Sequence, residues 1–126
     1  MSKQFTDLGI STALLKALSE LKITVPTEIQ QKTIPLLLEN KTDLVGLAKT
    51  GTGKTAAFGL PILQLIDTNS PLVQAVILAP TRELGQQIFK NLESFATFLP
   101  QVSIAATCGG IPIKPQIERL TAPTHI

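Results

Sequence analysis

A glycine-rich loop between an apolar run and an apolar helix constrains the fold of this chain more than any other feature. Residues 48–55 have the sequence AKTGTGKT, directly after the apolar residues 44–48 and before a helical pattern that continues to Ile66. Gly51 and Gly53 allow the backbone to turn so that successive N–H groups point to one side, and the amino end of the helix adds positive potential. The pattern predicts a phosphate-holding loop at a strand-to-helix junction.

Short apolar runs alternate with longer helical segments through the rest of the chain. Residues 44–48, 75–79 and 102–107 are apolar on both faces, which is typical of strands buried within a parallel sheet. Residues 55–66 and 82–99 have helical patterns, and the second carries a single apolar stripe. The alternation implies right-handed crossovers, so we predict an α/β fold with a parallel sheet flanked by helices. The stripe consists of Leu84, Ile88, Leu92, Phe95 and Leu99.

Two helices are predicted before the loop, and another strand at the end of the chain. Ser11 is expected to cap the first helix. The second begins near Thr27, and we expect it to bend or break at Pro35 because proline lacks the N–H group. Residues 122–124 predict a turn and residues 125–126 the start of a strand, so the natural protein is expected to continue. The apolar faces are Leu14, Leu15, Leu18 and Leu21 in the first helix, and Ile29, Ile34, Leu37 and Leu38 in the second.

Composition narrows the class of protein. The 126 residues are 44% hydrophobic, which is enough for one globular core, so residues 1–126 are predicted to form one domain or part of one. The net charge of +2 comes from scattered lysines and arginines, and it neither requires nor excludes RNA. A single cysteine, Cys108, and the lack of a signal-peptide pattern predict a cytoplasmic protein. No apolar stretch reaches the ~18 residues of a membrane span, so no membrane contact is expected. Cys108 and His125 have no partners at metal-ligand spacing and are interpreted as structural.

Two side chains of the loop are candidates for chemistry on a nucleotide. Lys54 is expected to reach the β and γ phosphates, and the hydroxyl of Thr55 to ligate Mg²⁺. We therefore assign catalytic roles to both residues and predict a phosphate-loop nucleotide-binding protein. The backbone of the loop supplies the remaining contacts, from Thr50, Gly51, Thr52 and Gly53.

A second motif lies upstream and narrows the class further. Residues 22–30 have the sequence KITVPTEIQ, and Phe5 precedes them. They resemble the Q motif of DEAD-box RNA helicases, which usually has glycine and an aromatic residue where this chain has Lys22 and Ile23. The resemblance implies that Gln30 selects ATP, because a carboxamide offers a donor and an acceptor side by side to one edge of adenine. It also implies that Phe5 packs on or near the base.

Both residues have a structural alternative. Thr27 followed three residues later by Gln30 also fits a capping box at a helix start. Phe5, taken alone, is more often a core aromatic residue than a platform for a base. The sequence alone leaves these alternatives open.

Two further motifs point to RNA. Residues 80–87, PTRELGQQ, look like motif Ia of the same family, which holds RNA backbone through Pro80, Thr81 and Arg82. Arg82 lies in the first turn of a predicted helix, where the dipole disfavours a cation, so it requires a nearby anion. That anion is either Glu83 or a phosphate of bound RNA. Thr81 fits a helix cap in either case.

The pair Gly109 and Gly110 resembles the family's double-glycine motif, whose backbone approaches an RNA phosphate. A turn between a strand and a helix also requires glycine, so the pair alone decides little.

The motifs cover essentially the whole chain in the order and spacing of one family. The chain is identified as a member of the DEAD-box ATP-dependent RNA helicases of bacterial type. It would be the amino-terminal part of the RecA-like domain, ending before the DEAD motif, with a Q-motif region at residues 1–38. The resemblance implies ATP and Mg²⁺ as cofactors, ATP hydrolysis coupled to local RNA unwinding in the full-length protein, and sequence-independent RNA contacts. It leaves partners in ribosome assembly or RNA decay unspecified. The alternatives are another phosphate-loop ATPase and a non-catalytic RNA- or protein-binding module.

Overall fold

Five α-helices joined by turns and extended segments make up the computed structural model, which describes residues 3–39 and 42–126. The first two residues of the predicted Q-motif region lie outside these ranges. A short 3₁₀-helix, Phe5–Leu8, precedes the first α-helix. The helices are α1 (Thr12–Glu20), α2 (Glu28–Leu38), α3 (Lys54–Leu65), α4 (Arg82–Phe95) and α5 (Ile113–Thr121). No helix within the described ranges has the length and apolar character needed to cross a membrane.

Helix α3 lies in the centre of the core. It packs against both α2 and α4, which explains why nearly all of its side chains are apolar. Gly59 is needed for this packing, because a Cβ atom there would lie 2.7 Å from the Leu92 side chain of α4. The most completely buried large side chains come from four helices: Leu14, Leu18, Ile34, Leu60 and Leu92.

The first two helices begin where the sequence predicts, with one difference in detail. Ser11 is the N-cap residue of α1, but its side chain makes no capping bond; its N–H donates to Gln64 Oε1 of α3 at 2.8 Å instead. Helix α2 continues through Pro35 to Leu38, so of the predicted bend or break the break is excluded and the bend stays a prediction. A proline removes one N–H donor, and the buried Ile34 beside it holds the last turn in the core.

The predicted strands are extended but are not paired with one another among the described residues. The end of the chain lies between two of them: Gln74 and Ala75 donate their N–H groups to His125 O at 2.9 and 3.1 Å, and His125 N–H donates to Ser103 O at 2.9 Å. Only residues 125–126 make this bridge, which is too short for a ladder. The parallel sheet therefore remains a prediction.

Candidate nucleotide and RNA sites

The predicted phosphate loop opens directly into α3. Gly53 is the N-cap residue of the helix, and both Gly51 and Gly53 have a φ of 79°, in the left-handed region that favours glycine. A Cβ atom at Gly51 would meet no atom within 4 Å, so the space in front of this residue is open. At Gly53 a Cβ atom would overlap Gln30 Nε2. The loop thus has one open side and one side packed against α2.

The Lys54 side chain forms a hydrogen bond with the backbone of the loop. Lys54 Nζ donates to Ala48 O at 2.8 Å across the loop, and Thr52 Oγ1 donates to Lys49 O at 2.6 Å. An ammonium group has three N–H donors, so two remain for a phosphate while the bond to Ala48 O is kept. Thr55 lies in the first turn of α3 and is half-buried. Within the described ranges, no group of three or more His, Cys, Asp or Glu side chains is placed to hold a metal ion.

Two polar side chains at the start of α2 hold the packed side of the loop. Thr27 Oγ1 donates to Thr52 O at 2.8 Å, and Gln30 Nε2 donates to Gly53 O at 3.1 Å. In a trans peptide the C=O and N–H groups point in opposite directions. Holding these two carbonyls toward α2 therefore directs the N–H groups of Gly53 and Lys54 away from it. The sequence pattern identified Gln30 but did not reveal this contact, because the contact joins residues 23 positions apart.

The structural alternative for Gln30 is confirmed. The Thr27 N–H group donates to Gln30 Oε1 at 2.9 Å, as expected of a capping box, and the Gln30 side chain is only 3% exposed. A carboxamide has two N–H donors and two oxygen lone pairs, so one of each remains for another partner. The role of Gln30 in reading adenine stays a prediction.

Phe5 is a core residue in this structure. Its side chain is 4% exposed and belongs to the main hydrophobic cluster. Stacking directly on a base would require a face that the core now covers, so its predicted role at the base is not visible here.

The two predicted RNA motifs meet at Arg82. Thr81 caps α4 by accepting from Leu84 N–H at 3.2 Å, as predicted. The Arg82 guanidinium lies against Gly110, where a Cβ atom would be 2.6 Å from Nη1 and where φ is 80°. Both segments line one cleft, which also includes Pro80 and Gly109. The distant motifs are thus brought together.

Glu83, the alternative anion for Arg82, forms no ion pair with it. Lys32 and Glu28, 2.6 Å apart on α2, form the only ion pair within the described ranges, so Glu83 does not neutralise Arg82. The Arg82 side chain is exposed at the amino end of α4. An anion at this position would be favoured by both the guanidinium and the helix dipole.

Helix α5 was not predicted from the sequence, and it carries polar contacts to both neighbouring segments. Arg119 donates to Thr124 Oγ1 at 3.1 Å, Ser103 Oγ at 2.9 Å and Ile104 O at 3.0 Å. Gln116 binds the backbone of Cys108, just before the glycine pair. The spacing of the apolar side chains could have indicated a helix: Ile113, Ile117 and Leu120.

Comparison with known proteins assigns the family. Residues 27–126 match the family of DEAD/DEAH box helicases. The chain is 45% identical over 117 residues to the ATP-dependent RNA helicase CshA of Limosilactobacillus reuteri, covering 93% of this chain and 23% of that protein. It thus spans about a quarter of the length of this curated relative.

Solved structures agree with this assignment. A DEAD box protein from the hyperthermophile Methanococcus jannaschii superposes with a TM-score of 0.88 at 36% identity, covering all of this chain and 34% of the other. Dbp5 of S. cerevisiae bound to RNA and ADP BeF3 superposes with a TM-score of 0.77 at 32% identity, covering 86% of this chain and 29% of the other. The chain belongs to the DEAD/DEAH box helicase family.

Proposed function

We propose that this chain is the ATP-binding part of an ATP-dependent RNA helicase, and that residues 48–55 hold the phosphates. One observation carries this proposal: the loop has an open side at Gly51, and Thr27 and Gln30 hold two of its carbonyls on the opposite side. The N–H groups of Gly53 and Lys54 are then free to face an anion. Such oriented N–H groups at a helix start are the usual means of holding phosphate.

ATP and Mg²⁺ fit the residues present. Lys54 supplies one positive charge and its two remaining N–H donors for the phosphates, and Thr55 supplies one hydroxyl oxygen for the metal. Mg²⁺ held by Thr55 would neutralise part of the phosphate charge. The remaining donor and acceptor of Gln30 would contact adenine, and Phe5 would pack near the base. Thr50 and Thr52 complete the loop.

The second part of the proposal is RNA binding at the cleft beside α4. Arg82 and the backbone of Gly109 and Gly110 would contact phosphate oxygens, with Pro80 and Thr81 holding the turn. The likeness to Dbp5 bound to RNA and ADP BeF3 supports this. Contacts to phosphates alone carry no base information, so binding would be independent of sequence and would weaken with salt.

We further propose that the chain is part of a RecA-like domain whose parallel sheet includes residues 44–48, 75–79 and 102–107. Support comes from the hydrogen bonds of residues 125–126. His125 N–H donates to Ser103 O, and Ile126 O accepts from Ala105 N–H, so the partner number rises with the residue number, as in parallel strands. In the longer protein, ATP hydrolysis would drive local RNA unwinding in the cytoplasm. The region of residues 1–38 would sense the nucleotide through its contact with the loop.

An ATP titration of the chain by calorimetry tests the nucleotide site. Replacing Lys54 by alanine removes one charge-assisted contact of about 1.5–3 kcal/mol, so affinity for ATP should fall roughly ten- to a hundred-fold. Lys90→Ala is the matched control, because it removes the same charge from the exposed face of α4. Equal affinities of the two variants would exclude Lys54 from the site. Repeating the titration with single-stranded RNA separates a helicase from an unrelated phosphate-loop ATPase.

A further inference from the structure

Gln116 of α5 holds both backbone groups of a single residue. Its Oε1 accepts from Cys108 N–H at 2.8 Å, and its Nε2 donates to Cys108 O at 3.1 Å and to Pro112 O at 3.2 Å. A carboxamide can do this because its donor and acceptor lie side by side. Gln116 is also the one residue of α5 that is not exposed. The contact is therefore a specific attachment of α5 to the segment before the glycine pair.

This attachment sets the direction of the next amide group. The C=O of Cys108 and the N–H of Gly109 belong to one trans peptide unit, so they point in opposite directions. With the carbonyl held toward α5, the Gly109 N–H is turned away from the helix. It donates no hydrogen bond within the described ranges. A Cβ atom at Gly109 would meet nothing within 4 Å, so the space beside it is open.

The Arg82 guanidinium lies against the next residue, Gly110. One fixed N–H donor and one exposed cation thus lie in the same cleft. A phosphate oxygen is an acceptor that both can bind, and backbone N–H groups together with arginine are common phosphate ligands.

We propose that Gln116 is a positioning residue for RNA: it fixes the Cys108–Gly109 peptide so that the Gly109 N–H faces a phosphate held by Arg82. The inference rests on the proposed RNA function of this cleft. Gln116 itself touches no RNA. Its effect on binding passes through the orientation of one peptide group.

NMR spectroscopy of the ¹⁵N-labelled chain at low salt tests this directly, with single-stranded oligouridylate as the probe. In the unsubstituted chain, the Gly109 amide signal should shift as RNA is added, and the shift should diminish as salt rises. Gln116→Met keeps the length of the side chain but removes the donor and the acceptor. It should lower RNA affinity roughly three- to ten-fold and reduce the shift of the Gly109 amide at saturation. The Arg82 side-chain signal should still respond.

Two comparisons separate the possible failures. Gln87→Met makes the same replacement at an exposed position of α4 and should leave both readouts unchanged. If Arg82→Ala does not weaken RNA binding, or if the Gly109 amide of the unsubstituted chain does not move, the proposed RNA site is wrong and the role of Gln116 falls with it. If Arg82→Ala weakens binding while Gln116→Met behaves like Gln87→Met, only the role of Gln116 is wrong. If Gln116→Met lowers the affinity for RNA but leaves the shift of the Gly109 amide at saturation unchanged, the proposed role of Gln116 is also wrong. That result would indicate a general loosening of α5.

Discussion

The helices and the extended segments of this molecule are both apolar in sequence, yet they differ in what covers them. Leu60 of α3 is completely buried, whereas Leu78, in the segment 75–79, is 90% exposed. Val45 and Leu47, just before the phosphate loop, are also 90% exposed. An apolar pattern thus indicates that a segment is suited to burial. Whether the segment is buried depends on another segment that packs against it. Helices α1 to α4 cover one another on several sides, whereas the segment 75–79 packs one set of alternate side chains (Ala75, Ile77, Ala79) against this core and leaves Val76 and Leu78 exposed.

The largest expected effect comes from making one substitution in both regions. Leu60→Ala removes a side chain with no exposed surface and should lower the free energy of unfolding by about 2–5 kcal/mol. Leu78→Ala removes the same atoms from an exposed position and should change it by no more than about 0.5 kcal/mol. Urea unfolding followed by circular dichroism measures both. Similar losses for the two variants would show that residues 75–79 are covered in solution and would remove the contrast between the regions.

A pair of helix glycines sharpens the comparison within the packed region. Gly59→Ala places a Cβ atom 2.7 Å from the buried Leu92 side chain, so this side chain or the two helices must shift, at a cost of about 1–3 kcal/mol. Gly85→Ala meets its nearest neighbour at 3.7 Å, an ordinary contact, and should gain up to about 1 kcal/mol from helix propensity. Thermal unfolding should therefore move in opposite directions for the two variants. A stabilising Gly59→Ala would show that α3 and α4 are less tightly packed than the structure indicates.

The parts of the fold that could be predicted are those set by local chemistry. The glycines of the loop, the cap at Thr81 and the periodicity of α1 to α4 depend on neighbours within a few residues. Contacts between distant residues could not be predicted in the same way. The bond from Gln30 to Gly53 and the attachment of α5 by Gln116 and Arg119 depend on tertiary geometry. The parallel sheet could not be predicted with the same certainty, because an apolar run predicts a strand but does not specify which segment pairs with it.

The smallest expected effect concerns the end of α1. Lys22 has a φ of 60°, and it is the only residue other than glycine with a positive φ within the described ranges. Its N–H donates to Ser19 O at 3.0 Å, and the next N–H, of Ile23, donates to Leu18 O at 2.9 Å. These two bonds form a Schellman motif, in which the left-handed position is usually glycine. Glycine at this position would adopt the same φ without strain.

Lys22→Gly should therefore stabilise the chain. A side chain in the left-handed region costs about 1–2 kcal/mol, and the greater freedom of glycine in the unfolded state offsets part of the gain. We expect a net increase of about 0.5–1 kcal/mol in the free energy of unfolding, measured by urea denaturation. Lys90→Gly, at an exposed position inside α4, is the matched control and should cost about 1 kcal/mol because the same glycine gains no relief of strain there. Losses of equal size at both positions would mean that Lys22 is not strained, and that the end of α1 accepts a side chain as readily as glycine.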